Sequence, residues 1–413
     1  MKTVIIGAGP AGVTVAETLR QCNYPEEIVL FSSEPFPPYA PPAMIEYFMT
    51  GQESHLWRWK NIPETLGLDY RSETKVVEIM PENHMICLAD GAKFDYDRLV
   101  IATGSRLFAS LPGADKPGIY NFKSLSAANK MVKEIHEGHA HNAIIIGAGF
   151  IGVEIALLLS NLGLRITLLE MDNRVMPRRL DVETAEITLG MIEAYNIDVR
   201  LGTKVRGFLG DSRADSVELE SGETLKADLL VAATGVRPNI ELLKGSGIQT
   251  NWGVLVDEYL HTNIPDIYAV GDVVEAPNRL TGEQYVHAIF PNAIAQGRVA
   301  AYNMLGWNVP YEGAENMNSL KHLGIPVIAA GRMEGEILCF RQDNNLRKLY
   351  LLDNRIVGFQ LVGNIKAAGI YRTLMNKKVD VKHIKAFLVE PNFGMGYLYQ
   401  NLYSSATTYP ILQ

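Results

Sequence analysis

Two six-residue glycine loops carry the first legible chemistry. Gly7-Ala8-Gly9-Pro10-Ala11-Gly12 follows the apolar run Val4-Ile5-Ile6, and Gly147-Ala148-Gly149-Phe150-Ile151-Gly152 follows Ile144-Ile145-Ile146. Each copy stands between a β-rich run and an amphipathic helical stretch, the setting in which G-x-G-x-x-G binds a pyrophosphate. The first glycine permits the tight turn, the second lets backbone approach a phosphate, and the third lets helix pack closely on strand. N–H groups at the start of the following helix lack partners within it and suit an anion. One dinucleotide per loop is the expectation, read against the plainer one of two ordinary strand-to-helix turns.

Such loops need parallel strands and covering helices to hold them. Strand signals fall at 3–6, 28–31, 99–102, 143–146, 165–169, 229–232 and 267–270, with helical signals alternating between several of them. That alternation argues for α/β units. Ala-Thr-Gly ends a strand twice, as Ala102-Thr103-Gly104 and Ala233-Thr234-Gly235, each roughly 90 residues beyond its own glycine loop, so a whole domain plan is repeated. The turn-rich stretch 111–118 reads as a linker between the copies. Beyond about residue 310 the pattern changes to strands at 347–352 and 356–362 and helices at 365–375 and 381–388, an α+β domain.

At 413 residues the chain exceeds what one hydrophobic core usually serves, so two or three domains are expected. Hydrophobic residues at 47% and charged residues at 20% describe a globular protein and exclude a disordered one. A formal charge of -8 argues against nucleic acid as a partner. No uninterrupted run of about 18 apolar residues occurs, so no membrane span is expected. The apolar start has only Lys2 as a charge and is occupied by the phosphate loop; no cleavable leader, and a cytoplasmic location, are expected. Cys22, Cys87 and Cys339 are odd in number and far apart, without C-x-x-C or zinc spacing, and read as buried, inert thiols with no metal site.

With both loops, both Ala-Thr-Gly turns and Asn263-Ile264-Pro265-Asp266-Ile267-Tyr268-Ala269-Val270-Gly271-Asp272, the chain resembles the two-dinucleotide flavoprotein reductases of the pyridine nucleotide-disulfide oxidoreductase superfamily. The resemblance covers essentially the whole chain. It implies two Rossmann-like dinucleotide-binding domains plus a C-terminal α+β domain: a discontinuous FAD-binding domain at 1–118 and 253–313, an NAD(H)-binding domain at 119–252, and an interface domain at 314–413. The last, through Met317-Asn318-Ser319-Leu320-Lys321 and Ala367-Ala368-Gly369-Ile370-Tyr371, is similar to that of the NADH oxidase, rubredoxin reductase and nitrite-reductase-like branch. A homodimer through it is one expectation; monomeric relatives provide the other.

The resemblance places FAD on the first loop, NADH on the second, and Asp272, after Gly271, on the FAD ribityl chain. Glu34, just after Phe31-Ser32-Ser33, is the candidate for the FAD adenosine ribose, or a solvated loop carboxylate. Glu170 ends the strand 165–169 and lies 23 positions after Gly147, near the spacing of a ribose 2′-hydroxyl acceptor. NADH is therefore expected over NADPH, whose 2′-phosphate it would repel, although Arg174, Arg178 and Arg179 follow closely. Glu154 stands where related reductases hold the nicotinamide carboxamide, orienting it for hydride transfer. The alternative is an acidic residue in a first helical turn, favoured by the macrodipole. Relatives balance this Glu with a Lys near the flavin, but no Lys or Arg occurs from Glu34 to Trp57. The segment 290–298, with Asn292 and Ala293, resembles the helix whose N-terminus points at flavin N1 and O2.

Thiol-using relatives place a redox Cys over the flavin after the second strand. Here 37–47 reads Pro-Pro-Tyr-Ala-Pro-Pro-Ala-Met-Ile-Glu-Tyr, with Pro42 at the Cys position. Without a thiolate, reduction of disulfides, polysulfides or peroxide by the usual route is not expected. The leading expectation is an FAD-dependent NADH oxidoreductase passing electrons to a small iron-sulfur protein of the rubredoxin or ferredoxin kind. An NADH oxidase or quinone reductase, and a non-enzymatic NADH-responsive flavoprotein, are the alternatives. Arg372, Lys377, Lys378, Lys382, His383 and Lys385, interrupted only by Asp380, form a candidate docking face or two solvated helix faces. Trp57-Arg58-Trp59-Lys60 reads as a lid or partner contact, or as buried anchors.

Overall fold

A computed structural model describes residues 1–396. In chain order it places β1 (Lys2–Ile6), α1 (Pro10–Gln21), β2 (Glu27–Phe31), β3 (Asp69–Arg71), β4 (Arg98–Ile101), α2 (Leu125–His136), β5 (Asn142–Ile146), α3 (Phe150–Asn161), β6 (Arg165–Leu169), α4 (Val182–Glu193), β7 (Leu229–Ala232), β8 (Ile267–Ala269) and α5 (Phe290–Met304). Then come β9 (Met317–Leu320), β10 (Val327–Gly331), β11 (Glu336–Gln342), β12 (Asn345–Leu352), β13 (Arg355–Val362) and α6 (Ala368–Asn376). The strands read at 165–169 and 229–232 form with those bounds. The other five of the first series lie within one residue of their expected ends. The helix expected at 381–388 is instead a 3-10 helix, Lys382–Phe387. Its apolar contacts, Val381, Ile384 and Leu388, are too few to drive a longer helix.

The chain divides into two compact units, one of Met1–Gly147, Leu158–Ile166 and Val205–Glu315, the other of Ala148–Leu157, Thr167–Lys204 and Asn316 onward. In the first, β8-β4-β1-β2-β3 form a five-stranded sheet. All four pairings are parallel, with Ile6 beside Phe31 and Ile101, and Ile101 beside Ala269. Parallel strands in this register release the loops after Ile6, Phe31, Ile101 and Ala269 at one edge. That edge is where open α/β sheets bind ligands. Val4, Ile5, Val29, Leu30, Leu99 and Val100 are fully enclosed, as strands covered on both faces must be. Helix α1 buries Val13, Val15, Ala16 and Leu19. A Cβ at Gly297 of α5 would lie 2.7 Å from the Ala11 carbonyl oxygen, so α5 packs close on α1 only without a side chain there. A second parallel set, β5 with β7 and β7 with Ile119–Tyr120, carries the second glycine loop at the end of β5.

The second unit contains an antiparallel sheet in the order β9-β10-β13-β12-β11. Strand β11 is its edge and is largely exposed, whereas β12 is buried from Leu346 to Leu351. Helix α6 covers the sheet with fully buried Tyr371, whose ring lies 5.7 Å from Phe359 and stacks on Phe393 at 5.4 Å. Helix α3 is apolar on every side, and Val153 and Ile155 to Leu159 are fully enclosed, as that pattern requires. Among the described residues no helix is long and apolar enough to cross a membrane.

Candidate functional site

Gly7 turns at φ +115°, and a Cβ there would lie 2.2 Å from the Ala102 carbonyl oxygen, so only glycine can follow β1. The Gly7 N–H donates to the Phe31 carbonyl at 2.9 Å and the Ala102 N–H to Ile6 at 2.9 Å, tying the loop to its neighbouring strand ends. Gly9 stands at the N-cap of α1 without a side-chain cap, and Pro10 occupies the first turn, where a missing N–H costs nothing. Ala11 and Gly12 are buried. This helix start therefore offers backbone N–H groups to an anion. Beside it opens a cavity of about 630 Å³ lined by Gly7, Phe31, Ser33, Thr74 to Val77, Thr103, Arg106, Asn239 and Glu241.

Thr103 and Asn239 hold each other. The Thr103 hydroxyl donates to the Asn239 carbonyl and the Asn239 amide to the Thr103 carbonyl, both at 2.8 Å, while the Asn239 N–H donates to Gly104 at 3.0 Å. Asn239 escaped the sequence reading, its one signal being a place four residues past the second Ala-Thr-Gly. Gly271, at φ +82°, donates its N–H to buried Gln296 at 2.6 Å. Asp272 next to it accepts from Lys123 Nζ at 2.7 Å and Ser105 Oγ at 3.1 Å. Lys123 is a cation that no local pattern joins to a residue 149 positions away. Asn292 spends its side chain on the backbone of His287 and Glu315, and Ala293 is buried in the first turn of α5, which has no side-chain cap.

Glu34 finds partners within the protein. Its two carboxylate oxygens accept from the Ser126 N–H at 2.8 Å and the Tyr39 hydroxyl at 2.7 Å, and Ser33, not Glu34, lines the cavity. Strand β2 ends at Phe31, so Glu34 has passed the cavity and reaches the first turn of α2, where a carboxylate favours the dipole. Burial and this carboxylate push the Tyr39 phenol far above its ordinary range.

The second loop repeats the first at its root. Gly147 turns at φ +102°, a Cβ there would lie 2.7 Å from the Ala233 carbonyl oxygen, and the Ala233 N–H donates to Ile146 at 2.8 Å. Thr234 and Gly235 are exposed and bond the backbone of Phe108. Gly149 and Phe150 are half-buried at the start of α3, followed by half-buried Ile151 and buried Gly152. Glu170 is 7% exposed and accepts the Ala148 N–H at 2.8 Å and the Asp172 N–H at 3.1 Å. It thus braces the loop itself. Of the arginines beyond it, Arg174 donates to the Pro177 carbonyl, and burial together with Arg178 lowers the pKa of Arg179.

Glu154 is the fifth residue of α3, beyond the first turn, which removes the macrodipole alternative. Burial raises its pKa to about 7, and Lys321, just past β9, pulls the other way. Lys321 is a cation whose charge acts on Glu154, where the 34–57 segment offers none. It stood in a quoted motif without a role, because 167 residues separate it from Glu154.

The thiols are not buried. Cys22 and Cys87 are half-buried and Cys339 is exposed. Cys22 caps the solvent end of α1, Cys87 takes an outward position on Met85–Leu88, and Cys339 lies on edge strand β11. The Trp57 to Lys60 stretch resolves toward buried anchors: Trp59 is 6% exposed and stacks on Phe290 at 5.8 Å, and Trp57 meets the Tyr39 ring edge-on. In the C-terminal basic cluster Lys377, Lys378, Lys382 and His383 are exposed, while Lys385 pairs with Glu336.

Two glycine-loop units on parallel sheets, followed by an antiparallel domain, define a two-dinucleotide flavoprotein oxidoreductase. The chain belongs to the pyridine nucleotide-disulphide oxidoreductase family, whose model matches residues 1–297. It is 31% identical over 399 residues to an NADH oxidase of Methanocaldococcus jannaschii, covering 89% of each chain. It is 28% identical to a rubredoxin-NAD(+) reductase of Ectopseudomonas oleovorans, covering 83% of this chain and 94% of that one. The ferredoxin reductase for the CYP199A2 system from Rhodopseudomonas palustris superposes with a TM-score of 0.82 at 27% identity, covering 92% and 95% of the two chains. Two longer relatives are spanned over only 53% and 49% of their length. The chain is an FAD-dependent NAD(P)H oxidoreductase.

Proposed function

We propose that the chain oxidises NADH and passes the electrons through FAD to a small iron-sulfur carrier protein, with no cysteine in the path. The observation that carries this reading is the segment after β2, which turns through Pro41–Ala43 with no thiol. Cys22 ends a 12-residue helix that begins at the first loop, about 18 Å away at 1.5 Å per residue. Names of relatives that act on rubredoxin and ferredoxin support the choice of acceptor.

The first loop suits FAD: its Cβ-free turn, uncapped helix start and adjoining cavity fit a pyrophosphate and an adenosine. Bound FAD supplies the hydride-accepting and electron-releasing chemistry that side chains lack. Loop N–H groups bind its phosphates, and Asp272, steadied by Lys123, takes ribityl hydroxyls. The second loop binds the NADH pyrophosphate, with Glu170 disfavouring a 2′-phosphate. Glu154 orients the nicotinamide carboxamide, and Lys321 holds part of its charge at neutral pH.

Anaerobic stopped-flow reduction by NADH, followed by mixing with rubredoxin, ferredoxin or aerated buffer, tests the reading through flavin reoxidation near 450 nm. Fast reoxidation by an iron-sulfur protein and slow reoxidation by oxygen is the expected result. Fast reaction with oxygen alone would make the chain an NADH oxidase, the reading favoured by its 31% identical relative. Replacing Cys22, Cys87 and Cys339 together by Ser is expected to leave NADH-to-acceptor turnover within about twofold, since no thiolate takes part.

A further inference from the structure

Ala148 of the second glycine loop is held at both its backbone atoms by the segment that leaves β6. Its N–H donates to Glu170 at 2.8 Å, and its carbonyl accepts from the Met176 N–H at 2.9 Å. Met176 takes the left-handed conformation, φ +49°, unusual for an unbranched side chain and stable only when its surroundings impose it. The far end of the same segment is pinned to the antiparallel sheet. Gln360 of β13 donates to the Arg179 carbonyl at 3.1 Å and accepts the Asp181 N–H at 3.4 Å. The Asp181 carboxylate caps α4 through the Thr184 N–H at 2.9 Å and accepts from Tyr350 at 2.9 Å and from Lys348. Lys348 also meets Glu183 at 2.7 Å.

The anchors on the sheet are buried: Gln360 is 1%, Tyr350 2% and Lys348 7% exposed. A lysine so enclosed is rare unless paired, and Gln360 has no solvent to satisfy its amide. Their geometry is therefore set by packing in β12 and β13, and the segment from Glu170 to Asp181 transmits it. Along this strap Met171 is 62% exposed, whereas Val175, Met176 and Leu180 are buried. Backbone bonds from Gly202 to Asp172 at 2.9 Å and from Thr203 to Glu170 at 2.8 Å steady the strap's start, so the far pins act on its Met176 end. Without them the Ala148 carbonyl, and with it the loop N–H groups and their contact to Glu170, would lose their fixed aim.

We propose that Lys348, Tyr350 and Gln360 are positioning residues for the NAD(H) site, holding the second glycine loop and Glu170 from the C-terminal sheet. The inference rests on the assignment of that loop to NAD(H). It gives the C-terminal domain a part in nucleotide binding.

The test measures NAD+ binding to the FAD-loaded protein by calorimetry, beside the limiting rate of flavin reduction at saturating NADH. Lys348→Met and Gln360→Met are expected to raise the NAD+ dissociation constant about tenfold, leaving the limiting rate within about twofold, because they misplace the loop without touching the reacting atoms. Lys348→Arg, which keeps both carboxylate contacts, is expected to bind within about threefold of the parent protein. If Lys348→Met fails to fold, Gln360→Met alone decides. Unchanged NAD+ affinity in a folded Met variant overturns the proposal. Gly147→Val serves as reference: if it too leaves NAD+ affinity unchanged, the assignment of the loop fails and the proposal with it. Weakened binding in Gly147→Val alone overturns only the positioning role.

Discussion

Glu34 and Glu170 each follow the second strand of a glycine-loop unit, yet their carboxylates do different work. Glu170 comes one residue after β6 and accepts the N–H of Ala148 inside its own loop. Glu34 comes three residues after β2 and spends both oxygens on Tyr39 and the start of α2, leaving Ser33 at the cavity. At about 3.3 Å per extended residue, a two-residue delay moves a carboxylate some 6–7 Å, farther than a hydrogen bond can bridge. The repeat thus preserves the loop and its strand anchors while the acidic position diverges. Sequence similarity between two copies of a motif need not extend to the groups around it.

The sharpest way to break the parallel is at the loop roots. Gly7→Val is expected to yield protein with under about a tenth of the parent flavin absorbance per chain, because its Cβ would strike the Ala102 carbonyl and its backbone needs a positive φ. Flavin retention near the parent level would show that the first loop does not hold FAD. A smaller contrast separates the two carboxylates. Glu170→Ala is expected to weaken NADH binding about tenfold and to erode discrimination against NADPH, whereas Glu34→Ala leaves NADH affinity alone. Glu34→Ala should instead cost about 1–3 kcal/mol in denaturant unfolding, since the Ser126 N–H and Tyr39 hydroxyl lose their acceptor. Loss of flavin from Glu34→Ala, as complete as from Gly7→Val, would return Glu34 to the cofactor site.

The smallest expected effect is a pH dependence confined to the second unit. Burial raises the folded-state pKa of Glu154 to about 7, above the ordinary 4.5, so the folded protein binds a proton there that the unfolded chain releases. That residue's contribution favours folding at low pH, falls away as pH rises from about 4.5, and levels off above about 7. NADH binding or flavin reduction should show an inflection near pH 7 that Glu154→Gln removes. Lys321→Met should move it upward, because Lys321 opposes the effect of burial. An inflection indifferent to both substitutions would assign it to another group.

Much of this protein was legible along the chain. Period and composition located β1, β2 and β4 to β8 to within one residue, and two of the five C-terminal strands, β12 and β13, to within two, because buried strands read as short apolar runs. The glycines were legible because a positive φ or a close backbone approach excludes every other residue at Gly7 and Gly147. Less could be read where partners are distant. Lys123 with Asp272, Asn239 with Thr103, and Lys321 with Glu154 are pairs 136 residues or more apart, and no local pattern joins them.

The sequence by itself determined where the chain turns, that its first strands form parallel sheets, and that two glycine loops recur. Those features depend on backbone conformation and local burial, which each residue and its near neighbours set. Tertiary structure alone decided which charge meets which: that Glu34 serves a helix, that Glu170 braces a loop, and that a buried lysine of the C-terminal sheet pins the strap beside it. Such pairings depend on which strands lie side by side and how far a side chain reaches, quantities that exist only once the chain has folded.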